Sequence, residues 1–140
     1  MEKEVKYTTW VENATGIQGP TGSLDGELQV QVSSPLKAVA GTNPEQLVGL
    51  AFATCLNATI EAEEKRRGFD HQSVVRVKSE MGPDTLGYQF WLTAYVKIPQ
   101  VDRATAQAIL EKSEKRCPMA KLLGASLNVT IKLVDEFEEV

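Results

Sequence analysis

The spacing of apolar and polar positions along the 140-residue chain changes period several times. Segments in which the two alternate are typical of half-buried strands, because successive strand residues point to opposite faces of a sheet. In segment 27–33, for example, Leu28, Val30 and Val32 fall on one face. Alternation, or a high content of β-branched and aromatic residues, predicts strands at 5–12, 27–33, 74–81, 88–98 and 126–134.

The longest apolar stretch has the pattern of a helix rather than of a strand. Asn43 is a favourable N-cap, Pro44 suits the first helical position, and Glu45 suits the first turn. The predicted helix continues to about Arg67, where Gly68 can adopt the left-handed conformation that ends many helices.

Charge is distributed unevenly along this helix. Positions 47–60 are almost wholly apolar, which predicts a central helix surrounded by protein on every side. Positions 61–67 (EAEEKRR) are almost all charged, which predicts a solvated end with the ion pairs Glu61–Lys65 and Glu63–Arg67.

The remaining segments connect or end these elements. The stretch 14–26 contains four glycines and a proline and is predicted to be a long hairpin loop. Asp102 can cap a helix over 103–115, and Pro118 stops that helix or starts a short new one, which leaves Cys117 at the joint. The acidic tail 135–140 (DEFEEV) is expected to be solvated or frayed.

The predicted order is ββαββαβ, an α+β fold in which an antiparallel sheet wraps around a long buried helix. A length of 140 residues favours a single domain, 1–140, and 42% apolar residues can fill its core without disulfides or a metal. The net charge of −4 argues against a nucleic-acid or anionic-membrane surface. With no membrane-length apolar run and no signal peptide, the sequence predicts a cytoplasmic, soluble protein.

The candidate chemistry centres on two cysteines. Cys55 and Cys117 are 62 positions apart, and His71 is the only histidine, which argues against a zinc or iron site. Cys55 is either a small buried hydrophobe or a nucleophile. Cys117 either caps a helix end or faces a cleft near basic residues. A joint redox role would require the fold to bring the two within disulfide reach.

Three stretches together resemble the family of osmotically induced proteins and organic hydroperoxide resistance proteins (the OsmC/Ohr family), especially its hydroperoxide-resistance branch. These stretches are Ala14-Thr15-Gly16, Asn43-Pro44-Glu45-Gln46-Leu47 with Cys55 ten residues after the glutamate, and Cys117-Pro118 followed by the strand 127–131. The order of elements fits this family over essentially the whole chain.

The resemblance implies a thiol peroxidase without metal, haem or flavin. Cys55 would attack an organic hydroperoxide and become a sulfenic acid, and Cys117 would resolve it to a disulfide. An external dithiol, such as a dihydrolipoyl group on a partner protein, would reduce that disulfide. An apolar lining of Phe52, Leu56 and Met119 would favour bulky organic hydroperoxides over hydrogen peroxide.

The resemblance also implies that Glu45 is an active-site carboxylate and that the protein is an intertwined homodimer. Ten helical residues at a rise of ~1.5 Å separate Glu45 from Cys55 by about 15 Å on one straight helix. The two side chains therefore cannot meet within one chain, and we expect Glu45 of one protomer to approach Cys55 of its partner.

One position departs from the family pattern. Where the family has an arginine in the first long loop, this chain has Gln18, and no arginine or lysine occurs from Thr8 to Leu36. Glutamine can bind substrate by hydrogen bonds but cannot stabilise a thiolate as a cation does. Two alternatives therefore stay open: a non-catalytic or weakly active protein of this fold that binds a small ligand, and a thiol–disulfide redox sensor.

Overall fold

The computed structural model describes residues 2–140, which fall into two compact units. The first unit ends at Pro44, and the second runs from Glu45 to Val140. The order of elements is βββαββααβ, which adds one strand and one short helix to the predicted order. The α+β class and the long central helix are confirmed, whereas the single domain stays a prediction.

The first unit contains a three-stranded antiparallel sheet of β1 (Val11–Glu12), β2 (Gly19–Ser23) and β3 (Gln29–Val32). The prediction of an unbroken loop over 14–26 is wrong, because β2 lies within it and pairs with both neighbours. Glycine assists this pairing: a Cβ atom at Gly22 would lie 2.0 Å from the carbonyl oxygen of Leu28. The close approach of backbones thus outweighs the turn propensity of the segment.

The second unit contains the sheet β4 (Val74–Pro83), β5 (Tyr88–Lys97) and β6 (Val129–Leu133). β4 and β5 form an antiparallel hairpin, but β6 pairs with β5 in parallel. The expectation of a purely antiparallel sheet is therefore wrong for β6. Two helices separate β5 from β6 in the chain, and such a crossover returns a strand in the same direction as its neighbour.

The core of the second unit lies between this sheet and the helices α1 (Pro44–Arg66) and α2 (Arg103–Arg116). Its fully or nearly fully buried members are Phe52, Leu56, Ile60, Leu92, Ala94, Val96, Ile98, Ala106, Ile109, Leu110 and Cys117. The α1 members recur every four residues, so they occupy one face of the helix.

Burial of α1 on every side is not observed in the single chain. The face away from the core exposes Ala51, Thr54 and Ala58, and the side chain of Leu50 is 66% exposed. The core of one chain covers only one face of this apolar helix, because the sheet and α2 both pack on that same face.

The charged end of α1 also differs from the prediction. Glu63 and Glu64 are buried rather than solvated, with residue exposures of 2% and 0%. The ion pair Glu63–Arg67 forms at 2.7 Å, whereas Glu61 and Lys65 form none among the described residues. Gly68 ends the helix in the predicted left-handed conformation, with φ of 84°.

The predictions for the second half of the chain are confirmed for α2 and corrected for the tail. Asp102 caps α2 by accepting a 2.7 Å hydrogen bond from the backbone N–H of Thr105. A short third helix, α3 (Pro118–Leu123), follows at once. The acidic tail is not simply solvated, since the ring of Phe137 lies 4.3 Å from the guanidinium carbon of Arg76. Within residues 2–140, no helix combines the length and apolarity needed to cross a membrane.

Candidate active site

The fold brings the two cysteines together, although 62 positions separate them. Cys55 lies in the middle of α1 and is half-buried, and Cys117 lies between α2 and α3 and is completely buried. Cys55 packs against the core cluster that contains Cys117, and it is near enough to raise the pKa of Cys117. Both are free thiols in this structure. The core of the second unit thus places the two thiols near each other, and the disulfide reach that a joint role requires stays a prediction.

Cys117 ends one helix and begins the next. Its backbone N–H donates to the carbonyl oxygen of Ser113 at 2.8 Å, which completes the last turn of α2. Its Sγ accepts a hydrogen bond from the backbone N–H of Ala120 at 3.4 Å and thereby caps α3. Pro118 occupies the first helical position, where its missing N–H costs no hydrogen bond. The predicted helix joint is confirmed, and its cap is the cysteine side chain itself.

The surroundings of Cys117 favour the neutral thiol. Burial raises the pKa of Cys117, and the adjacent Cys55 raises it further, while the N–H of Ala120 acts in the opposite direction. A thiol with a raised pKa is a poor first nucleophile at neutral pH. The two cysteines are thus chemically unequal: one is buried and protonated, and the other is partly accessible.

The residues predicted to line the site lie in the second unit with the cysteines. Phe52 and Leu56 are completely buried members of the core cluster, and Met119 is half-buried and packs against that cluster. They make the surroundings of the cysteine pair apolar. Their role in binding a substrate stays a prediction.

Glu45 is half-buried in the first turn of α1. The helix runs without interruption from Glu45 to Cys55, so the two lie about 15 Å apart at 1.5 Å per residue. The structure therefore does not bring this carboxylate to the sulfur within one chain. Gln18 is exposed and directly precedes β2 in the first unit. The proposed roles of both residues stay predictions.

A second cluster, of which the sequence predicted only the Glu63–Arg67 pair, includes Arg116, the neighbour of Cys117 in the chain. Arg66 and Arg67 donate hydrogen bonds to the buried carboxylate of Glu63, and Arg116 lies 3.8 Å from it. The hydrogen bonds from Arg66, opposed by burial and reinforced by Arg67, lower the pKa of Glu63 to about 2. The helical spacing predicted the pairing with Arg67 and could have indicated Arg66, but only the packing of α2 brings in Arg116.

A third polar cluster surrounds Glu64. His71 has Nδ1 2.8 Å from Glu64 Oε1, and Ser73 Oγ donates to the same oxygen at 3.0 Å. Gln100 Nε2 donates to the other carboxylate oxygen. Ser73 Oγ also lies 2.9 Å from Asn57 Oδ1. Among residues 2–140, no group of three or more His, Cys, Asp or Glu side chains has the arrangement of a metal site.

Comparison with known proteins agrees with this geometry. The family model for OsmC-like proteins matches residues 36–132, which include α1, both cysteines and most of β6. The chain belongs to the OsmC-like protein family.

Its curated relatives in this family are named for organic hydroperoxide resistance. The organic hydroperoxide resistance protein of Xanthomonas axonopodis pv. citri is 25% identical over 137 residues, covering 94% of this chain and 96% of its own length. The organic hydroperoxide resistance protein OhrB of Bacillus subtilis is 26% identical over 132 residues, covering 91% and 97%.

Solved structures are similar over nearly the whole chain. The crystal structure of OhrB of Bacillus subtilis has a TM-score of 0.84 at 26% identity, covering 93% of this chain and 100% of its own. The crystal structure of a protein from Lactobacillus casei, described as a redox protein, has a TM-score of 0.92 at 43% identity. The match covers 97% of this chain and 96% of that protein. The resemblance inferred from the sequence is confirmed.

Proposed function

We propose that this protein detoxifies peroxides as a cysteine-based thiol peroxidase that reduces organic hydroperoxides. The observation that carries the proposal is the proximity of Cys55 and Cys117, one on α1 and the other at the α2–α3 joint, in a single core. Similarity to proteins named for organic hydroperoxide resistance supports the same function. Such a pair can pass from thiols to a disulfide without a metal or a bound cofactor.

The unequal surroundings of the two cysteines support a different role for each. Cys55 is the peroxidatic residue, because its side chain is only half-buried and a substrate can reach it. Cys117 is the resolving residue, because it is completely buried and its pKa is raised by that burial. A buried neutral thiol reacts slowly with peroxide but is well placed to attack an oxidised sulfur next to it.

The reaction then balances in three steps. The thiolate of Cys55 attacks the distal oxygen of the hydroperoxide, the O–O bond breaks, and the alkoxide leaves as an alcohol after taking a proton. Cys117 attacks the sulfur of the sulfenic acid, and water leaves as the disulfide forms. A dithiol, such as a dihydrolipoyl group on a partner protein, reduces the disulfide by thiol exchange and is itself oxidised to a disulfide.

A homodimer completes the proposed site. The apolar face of α1 that the core does not cover includes the 66% exposed Leu50, and a second copy of the chain would bury it. Such a pairing would also let Glu45 of one protomer approach Cys55 of the other. With Gln18 at the position of the family arginine, hydrogen bonding rather than a positive charge would orient the peroxide there.

The test is consumption of cumene hydroperoxide by the purified protein with dihydrolipoamide as reductant. We expect multiple turnovers by the wild-type protein and only background consumption by Cys55→Ser. Cys117→Ser keeps the first nucleophile, so we expect one oxidation per chain and a sulfenic acid that dimedone traps. The two variants serve as controls for each other, since each keeps one thiol.

Two results would contradict the proposal. A single oxidation of the wild-type chain, with a stable Cys55–Cys117 disulfide that dihydrolipoamide does not reduce, would indicate a redox sensor. Absence of turnover that Gln18→Arg restores would indicate a peroxidase scaffold that binds another ligand, since the substitution supplies the missing cation.

A further inference from the structure

The outer face of the second sheet carries a cluster of positive charges. Arg76, Tyr95 and Lys132 are register partners on β4, β5 and β6, and side chains in such a row lie on the same side of a sheet. Lys78 and Lys97 are two residues away along their strands and so lie on that side too. We call these five residues the basic patch. Glu80 lies on the same side, and its carboxylate lies 3.7 Å from Lys78 Nζ. The opposite face of the same strands packs on the core that holds the cysteines.

The acidic tail occupies part of the basic patch. Four of the six tail residues, 135–140, carry a carboxylate side chain, so the tail is strongly negative. Lys97 Nζ lies 3.0 Å from a carboxylate oxygen of Glu136. Arg76 donates to the backbone carbonyl of Glu138 at 3.2 Å and stacks on the ring of Phe137 at 4.3 Å. The patch therefore receives an acidic segment whose aromatic residue is its anchor.

The contacts between the tail and the patch are largely exposed to solvent. The side chain of Glu136 is 83% exposed in its ion pair with Lys97, and ion pairs this exposed stabilise little. Phe137 is only half-buried. A cavity of about 320 Å³ lies next to the tail and is lined by Arg76, Lys78, Tyr95 and Phe137, among others. The tail thus does not fill the surface that it contacts.

We propose that the basic patch is a docking surface for an acidic peptide segment with an aromatic residue, supplied by a partner protein. The tail occupies this surface until such a segment displaces it. Charge complementarity selects the acidic segment and speeds its association. Stacking of Arg76 on an aromatic ring distinguishes it from a merely acidic one. The surface is independent of peroxide reduction, because it lies on the sheet face away from the cysteines.

The test uses the full-length chain and a fluorescein-labelled peptide of the tail sequence, DEFEEV, followed by fluorescence anisotropy. The chain's own tail is tethered next to the patch and therefore competes with the peptide at a high effective concentration. A substitution that weakens the contact of the tail with the patch should make the patch available to the peptide. We expect Phe137→Ala to bind the peptide about fivefold more tightly than the wild-type chain. Adding Arg76→Gln to Phe137→Ala should weaken binding about tenfold, because the stacking partner is lost.

The matched control is Lys112→Gln in the Phe137→Ala background. Lys112 is an exposed cation on α2, outside the basic patch, so its removal should leave peptide binding unchanged. The peptide DEAEEV has the same charge without the ring and should bind more weakly than DEFEEV. The proposal is overturned if no variant binds the peptide, if wild type and Phe137→Ala bind it equally, or if Lys112→Gln weakens binding as much as Arg76→Gln.

Discussion

Each half of α1 departs on one face from the exposure that its composition suggests. The apolar half leaves one face uncovered, with Leu50 66% exposed, whereas the charged half buries Glu63 and Glu64 almost completely. The composition of a helix segment does not by itself determine which of its residues are buried. Burial also depends on which elements pack against each face. At the charged end of α1, the neighbours are α2 and the loop that follows α1. At the outer apolar face, no part of the core covers the helix.

The buried charges are tolerated because each carboxylate meets donors. Glu63 accepts hydrogen bonds from two arginines, and Glu64 accepts them from Ser73 and Gln100 beside His71. An unpaired buried carboxylate would be strongly destabilising, whereas one with several donors recovers much of its lost hydration. The apolar half has no comparable partners on its outer face. In the single chain that face is therefore left exposed to solvent.

The largest effect should come from removing a buried carboxylate. We expect Glu64→Ala to lower the free energy of unfolding by about 3 kcal/mol, because it leaves several buried donors without an acceptor. Urea denaturation measures the difference. The matched control is Glu61→Ala, three residues earlier and exposed, which should change stability by less than about 0.5 kcal/mol. Equal effects of the two substitutions would show that the buried cluster contributes no special stability.

A smaller effect should follow from trimming the uncovered apolar face. If a second copy covers it, Leu50→Ala should weaken dimerisation by about 2 kcal/mol, or roughly 30-fold in the dissociation constant. Sedimentation equilibrium measures this constant. The control is Leu86→Ala in the β4–β5 turn, where the leucine is 99% exposed and should not affect assembly. A dimer that is unchanged by Leu50→Ala would mean that this face is not the interface.

The smallest effect should be the pH dependence contributed by Glu63. Its pKa is lowered from 4.5 to about 2 on folding, so its contribution to stability is complete above about pH 4.5 and is lost as the pH falls towards 2. We expect about 1 kcal/mol, because its arginine partners are partly solvated. Denaturation of wild type and Glu63→Gln from pH 7 to pH 2 should show the difference between them shrinking with acidification.

Glu114 provides the control of opposite sign. Burial and the nearby Glu111 raise the pKa of Glu114, so its ionised form disfavours folding at neutral pH. Glu114→Gln should therefore stabilise the protein at pH 7 and lose that advantage in acid. If Glu63→Gln also stabilised the protein at pH 7, as Glu114→Gln should, the assignment of Glu63 would be contradicted.

The site was predictable where it depended on local sequence and not where it depended on packing. The helix start at Pro44, the joint at Cys117 and the cap at Asp102 follow from residue conformational preferences, and the structure confirms them. The strand β2 was missed, because its pairing depends on partners on both sides rather than on the propensity of its glycines. The parallel direction of β6 was missed because alternation specifies a strand but not its neighbour.

By itself, the sequence determined the α+β class, the long helix with Cys55 at its centre, and the family to which the chain belongs. Local preferences and short motifs carry that information, since each depends on residues a few positions apart. Only the tertiary structure shows that Cys55 lies near Cys117, that Glu63 and Glu64 are buried, and that the tail lies on the basic patch. Those contacts join residues far apart in the chain, and the packing of α2 and the sheet brings them together.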